Sequence, residues 1–228
     1  MISIKKFYIK PQKMAIRQTS IFKIYLALIA LLGWFALISQ FTINIQSNVA
    51  NISELIIRYF SYFTILTNLL VAICCTTILL KPSSKWGNFF SSQKTLTAIA
   101  VYILVVGLIY NVILRFIWNP QGLQKIVDEL LHSVIPVLFL FLWIFFVKKK
   151  TVKWKAFLPW LIYPLTYLVF VLIRGAFSGF YPYPFIDVTK LGYQKVFTNS
   201  LGVTIIFIVL SLLFIVAGNL TNRHKISE

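Results

Sequence analysis

Residues 58–75 read RYFSYFTILTNLLVAICC, from Arg58 to Cys75. The stretch is apolar enough to lie in a bilayer, yet it carries Ser61, Thr64, Thr67 and Asn68. On a helix, Ser61, Thr64 and Asn68 stand at i, i+3 and i+7 and share one face. A polar face on an apolar helix has to point at other helices or at a wet cavity, because lipid tails satisfy no polar group. A second stretch, VDELLHSVIP over 127–136, supplies a counterpart with Asp128, Glu129, His132 and Pro136.

Outward from these two segments, the composition decides the class. Of 228 residues, 59% are hydrophobic and 12% charged, too apolar for a soluble domain of this length. The hydrophobic residues come in blocks about 20 long, the length that crosses a hydrocarbon core of ~30 Å. A net charge of +17 suggests nucleic acid in a soluble protein. Here the positive charge falls between apolar blocks, so no nucleic-acid partner is expected. Cys74 and Cys75 are adjacent within an apolar block and imply no disulfide framework. They read as small core residues, with lipidation near the inner interface as the sharper alternative. No CxxC, HExxH or Gly-rich phosphate loop occurs, so no metal and no cofactor is expected.

The sequence predicts an all-α integral membrane bundle of six transmembrane helices, with both termini cytoplasmic. The expected spans are 21–40, 56–80, 95–118, 126–147, 156–173 and 200–217. A basic cytoplasmic segment occupies 1–19, the six-helix domain 20–218 and a cytoplasmic tail 219–228. The basic residues of the first segment (Lys5, Lys6, Lys10, Lys13, Arg17) precede a first span read as uncleaved. Lys81, Lys85 and Lys94, then Lys148, Lys149, Lys150, Lys153 and Lys155, then Arg223 and Lys225 fall on that same side. The positive-inside rule makes it cytoplasmic and places the chain in the cell membrane as a multi-pass protein. The opposite side carries Glu54, Asp128, Glu129 and Asp187, and a glycosylation sequon at Asn51. No internal repeat of the inverted-transporter kind is found.

This topology puts polar residues at one level. With the second span entering near Ile56 and the fourth near Ile126, Thr64 and His132 lie ~10 Å and ~9 Å below the outer surface at 1.5 Å per residue. A threonine hydroxyl becomes a nucleophile when a base takes its proton, and neutral histidine is the usual base. Asp128, four residues before His132, is placed to orient it, with Glu129 as the substitute. Arg115, Arg174 or the Asn68 amide is placed to stabilise an oxyanion, and Asp187 sits in the outer loop beside them. Each residue has a plainer reading too. Thr64 can bond its own i−4 carbonyl, His132 can be structural, the arginines can snorkel and Asp128 can cap a helix.

At these residues the chain resembles a known group. YFSYFTILTNLLVA, LLHSVIP, WLIYPLTYLVFVLIRG and GFYPYPFIDV look like the bacterial six-helix Pr6Pr family of membrane proteins, over nearly the whole chain from about Ile21 to Ala217. That family is distantly similar to the androgen-induced membrane proteins of animals, six-helix threonine hydrolases of fatty acid esters of hydroxy fatty acids. Their nucleophile lies in a Tyr-x-Thr-x-x segment, matched here by Tyr62 to Leu66, and their essential histidine shortly precedes a proline, as His132 precedes Pro136. The histidine-to-proline stretch is shorter here, and the YPYPF loop and the Asp128-Glu129 pair belong to the bacterial type. The resemblance implies a membrane-embedded hydrolase of lipid esters with Thr64 as nucleophile and His132 as base, its partner a membrane lipid or lipid ester. The alternative is a small transporter or lipid-binding protein with a polar outer-half cavity.

Overall fold

The computed structural model describes residues 19–149 and 151–224. Lys5, Lys6, Lys10, Lys13, Arg17, Lys150 and Lys225 lie outside the described residues. Among the described residues, six helices are long and apolar enough to cross a membrane: Ser20–Gln46, Phe63–Leu80, Gln93–Phe116, Gly122–Phe146, Trp154–Ser178 and Val188–Thr221. The third is 72% buried and the fifth 11%, so the third is the hub of the bundle and the fifth lies at its rim.

The first helix, α1 (Ser20–Gln46), starts at Thr19, whose hydroxyl accepts from the Phe22 N–H. It packs along α3 (Phe63–Leu80), where a Cβ added to Gly33 would lie 3.3 Å from that of Ala72. A short helix, α2 (Ile52–Phe60), precedes α3, and another, α4 (Lys85–Phe90), follows it. The hub is α5 (Gln93–Val112), prolonged by a 3₁₀ turn at Leu114–Phe116. The fourth span is composite. α6 (Gly122–Glu129) passes through a widened π turn at Leu130–Val134 into α7 (Ile135–Phe146). A 3₁₀ segment, Trp154–Leu161, leads into α8 (Ile162–Ser178), and α9 (Val188–His224) closes the bundle. Within α9, Gly192 bends the chain at φ 72°, which a side-chain-bearing residue adopts only with strain.

Two expectations about helix boundaries are corrected. The second span does not run unbroken from Ile56. It breaks at Ser61–Tyr62, because the Ser61 hydroxyl bonds back to the Ile57 carbonyl at 2.6 Å while Tyr167 donates to the Ser61 carbonyl at 2.9 Å. Ser61 therefore does not share a helical face with Thr64 and Asn68, and Thr64 stands in the first turn of α3 rather than well inside a longer helix. The sixth span starts before Ser200: Asp187 caps a first turn from Val188 by accepting from the Thr189 N–H at 3.1 Å and the Thr189 hydroxyl at 2.5 Å, and the long helix runs on after the kink at Gly192.

Candidate functional site

Thr64 is buried at the start of α3, a helix with no side-chain cap at Tyr62. The first N–H groups of a helix lack intrahelical partners. The one on Thr64 donates to the Tyr183 hydroxyl at 3.1 Å, and the same oxygen lies 3.2 Å from Thr64 Oγ1. Tyr183 is held by Pro182 and Pro184 on either side, by stacking on Phe185 (centroids 5.3 Å) and by an edge contact with Tyr62 (5.7 Å). Burial pushes its hydroxyl up to about 12, against the pull of the Thr64 hydrogen bonds. It is neutral at pH 7 and has a proton to give to Thr64 Oγ1.

His132 lies in the π turn. Pro136 has no N–H, so the carbonyls of Leu131 and His132 are short of the helical donor that Pro136 would supply. Two side-chain amides replace it: Asn68 donates to Leu131 O at 3.1 Å and Asn111 to His132 O at 3.3 Å. Gly107 lets α5 approach this turn, since a Cβ there would lie 3.1 Å from His132 O. The imidazole stacks on Tyr110 with centroids 4.1 Å apart and planes 14° from parallel. Its Nδ1 lies 2.9 Å from the Asp128 carbonyl oxygen and 3.5 Å from Asp128 Oδ1. A carbonyl only accepts, so Nδ1 carries a proton and Nε2 of the neutral ring holds the lone pair. Asp128 therefore orients the ring first through its backbone, while its Oδ2 accepts from Tyr110 at 2.7 Å.

Thr64, His132, Tyr183 and Leu114 line two cavities at once. One, of about 410 Å³, lies among the ends of α1, α3 and α5, the helix α6 and the Tyr183 loop. The other, about 80 Å³, is an apolar slot between α3, α5, α8 and α9. Thr64 and His132 thus stand on shared walls, one from α3 and one from the π turn. No hydrogen bond joins them directly, since Thr64 Oγ1 is engaged with Tyr183.

The remaining sequence-predicted residues hold the site rather than line it. Asn68 donates to Thr64 O at 2.9 Å and to Leu131 O, so both amide protons are committed and neither serves an oxyanion. Arg115 pairs with Glu129 at 2.7 Å and donates to Ser133 at 3.1 Å. Arg174 pairs with Glu54 at 2.8 Å, donates to Phe180 O at 3.1 Å and lies over the Phe180 ring. Arg58 meets the same Glu54 carboxylate at 2.8 Å. The Arg58 hydrogen bond, then that of Arg174, holds the Glu54 carboxyl below the usual range despite its partial burial. Asp187 reaches Lys190 at 3.5 Å and no arginine, and its bond from the Thr189 hydroxyl lowers its pKa. Arg174 with Glu54 thus ties the start of the YPYPF loop, through Phe180 O, to α2. Sequence reasoning missed Tyr183, Tyr110 and Asn111. Tyr183 stands inside the quoted YPYPF string, and that was its signal.

Compared with known proteins, the chain matches no family model, no curated protein and no solved structure.

Proposed function

We propose that this chain is a hydrolase of fatty acyl esters embedded in the cell membrane, in keeping with its resemblance to the Pr6Pr family, and with both termini cytoplasmic. The observation that carries the reading is the meeting of a larger, partly polar cavity and a smaller apolar slot at Thr64, His132 and Tyr183. Such a junction suits an ester whose acyl chain lies in the slot and whose alcohol portion lies in the larger space. Tyr183 donates to Thr64 Oγ1, which leaves the threonine proton to be given to His132 Nε2 as Oγ1 attacks the acyl carbonyl carbon. The tetrahedral oxyanion is placed near the N-terminus of α3, whose partial positive charge favours it, and the Tyr183 hydroxyl turns its one proton from Thr64 Oγ1 to the oxyanion as the new C–O bond forms. Collapse expels the alcohol, which takes the proton back from His132. Water then attacks the acyl-threonine ester, again giving its proton to His132, and the acid leaves as Thr64 recovers its own.

One observation favours simple lipid binding instead: Thr64 and His132 share no hydrogen bond. Catalytic hydrogen bonds are often long in a free enzyme, so the contact is expected to form with substrate. Transport is less favoured, because the charged pairs among the described residues lie at the same end of the bundle as the site. The test is labelling of the purified protein with a fluorophosphonate probe. Wild type should label, and Thr64→Ala and His132→Ala should each abolish labelling while the proteins remain folded. Full labelling of Thr64→Ala removes Thr64 as the nucleophile.

A further inference from the structure

We infer that the alcohol portion of the ligand is uncharged and rich in hydroxyl groups: a polyol ester of the acylglycerol type, not a phospholipid or an acid. The word ester rests on the hydrolase reading above, whereas the charge and the hydroxyls rest on the larger cavity alone.

Most of that cavity's wall is apolar, with Ile43, Ile65 and Trp118 among its residues. Its polar part is made of amides and hydroxyls such as Gln40, Asn44, Ser47 and Gln124, and among the described residues no lysine or arginine lines it. Three arginines outside that lining are paired with acids: Arg115, over the Tyr110 ring, with Glu129, and Arg58 and Arg174 with Glu54. The carboxylate on the wall belongs to Asp128, which is buried. A phosphate or carboxylate entering here would leave water, meet a like charge and find no cationic side chain on the wall. Such a juxtaposition is strongly unfavourable in a partly desolvated space. A hydroxyl, by contrast, both donates and accepts, and so does an amide. Gln40 and Gln124 bridge the cavity wall by reciprocal amide bonds of 3.3 and 2.9 Å. Each amide keeps a second N–H and a second acceptor lone pair for a guest. Asn44 uses its Nδ2 on Leu55 O at 2.7 Å, which leaves its oxygen as an acceptor.

The experiment uses uncleavable ethers, so that binding is read without turnover. Native mass spectrometry of the full chain in detergent micelles compares 1-O-hexadecylglycerol with its 3-phosphate and 3-phosphocholine counterparts. The neutral ether should bind at least tenfold more tightly than either, and Asp128→Asn should narrow the gap. If Asp128→Asn does not fold, Gln40→Arg serves instead: the new cation should raise affinity for the phosphate ether at least tenfold. Equal or tighter binding of a phosphate-bearing ether by the unchanged protein, or binding of none of the three, overturns the inference. If the neutral ether binds preferentially while Thr64 never labels, the cavity assignment stands and the hydrolase reading falls.

Discussion

Replacing Tyr183 by Phe removes one oxygen and leaves the ring, its two flanking prolines and its stacking on Phe185. That oxygen serves two groups of one residue, the Thr64 N–H at 3.1 Å and Thr64 Oγ1 at 3.2 Å. The hydroxyl of Thr64 can rotate toward the cavity when its partner goes. The N–H is fixed by the helix and is left buried and unpaired, which costs about 1–3 kcal/mol. For a chain of this size that corresponds to a fall in melting temperature of roughly 3–10 °C. The control is Tyr193→Phe on α9, whose side chain is 57% exposed and whose loss should change stability by less than about 0.5 kcal/mol. The two variants are compared by thermal denaturation in detergent micelles and by the rate of fluorophosphonate labelling. The labelling rate of Tyr183→Phe should fall about a hundredfold, the lower end of what one lost oxyanion donor costs. A Tyr183→Phe protein as stable as Tyr193→Phe refutes the account of the α3 N-terminus. One that is less stable but labels at the wild-type rate refutes the part given to the hydroxyl in the chemistry.

Glu54→Gln should destabilise the protein at pH 7 and loosen α2 from α8, because Glu54 gathers Arg58 and Arg174. The Glu54 pKa is depressed in the fold, so its stabilisation is complete above the unfolded value near ~4.3 and is lost as pH falls through the lower, folded one. The wild type should therefore lose more stability than Glu54→Gln between pH 7 and pH 3 in thermal melts. Asp187→Ala removes the cap of α9 and should cost about 0.5–2 kcal/mol, with faster hydrogen exchange in residues 183–190. Reporters fused after Glu228 and inserted near Lys150 should both be cytoplasmic, and translocation of either reverses the proposed orientation.

The six spans were legible because crossing a membrane demands a length and an apolarity that few other structures need, and each expected block overlaps one of the six long apolar helices. The breaks were not. Helix α3 starts with Tyr62 at the capping position and no side-chain cap, so none of the usual Ser, Thr, Asp or Asn signals marks its beginning. The π turn has a signal in Pro136, but a proline says that a helix is disturbed and not whether it bends, ends or widens. In the site, Thr64 and His132 could be singled out because hydroxyl and imidazole are rare in apolar stretches. The Tyr183 contact could not, because it joins residues 119 apart through a loop whose path no periodicity encodes. Asp187 is of a residue type that starts helices, and it does so here by accepting from Thr189 while also reaching Lys190.

The breaks themselves explain why polar residues gather at this level. Inside a bilayer each freed N–H and C=O must be satisfied by the protein, so two irregular helices side by side need a supply of side-chain partners. Tyr167 serves Ser61 O, Tyr59 serves Leu37 O, Asn68 serves Thr64 O and Leu131 O, and Asn111 serves Gly107 O and His132 O. Once these are assigned, much of the apparent polar cluster is structural and has little capacity left for chemistry. Among the described residues the His132 Nε2 has no hydrogen-bond partner, and the Thr64 hydroxyl has a proton to give once Tyr183 donates to its oxygen. Asn68 Oδ1 is likewise buried with no partner among the described residues, while its Nδ2 donates to Thr64 O and Leu131 O. Backbone groups thus account for Asn68, Asn111, Tyr59 and Tyr167. They do not account for an imidazole lone pair and a threonine hydroxyl on the wall of one cavity, and that remainder is what the proposed chemistry uses.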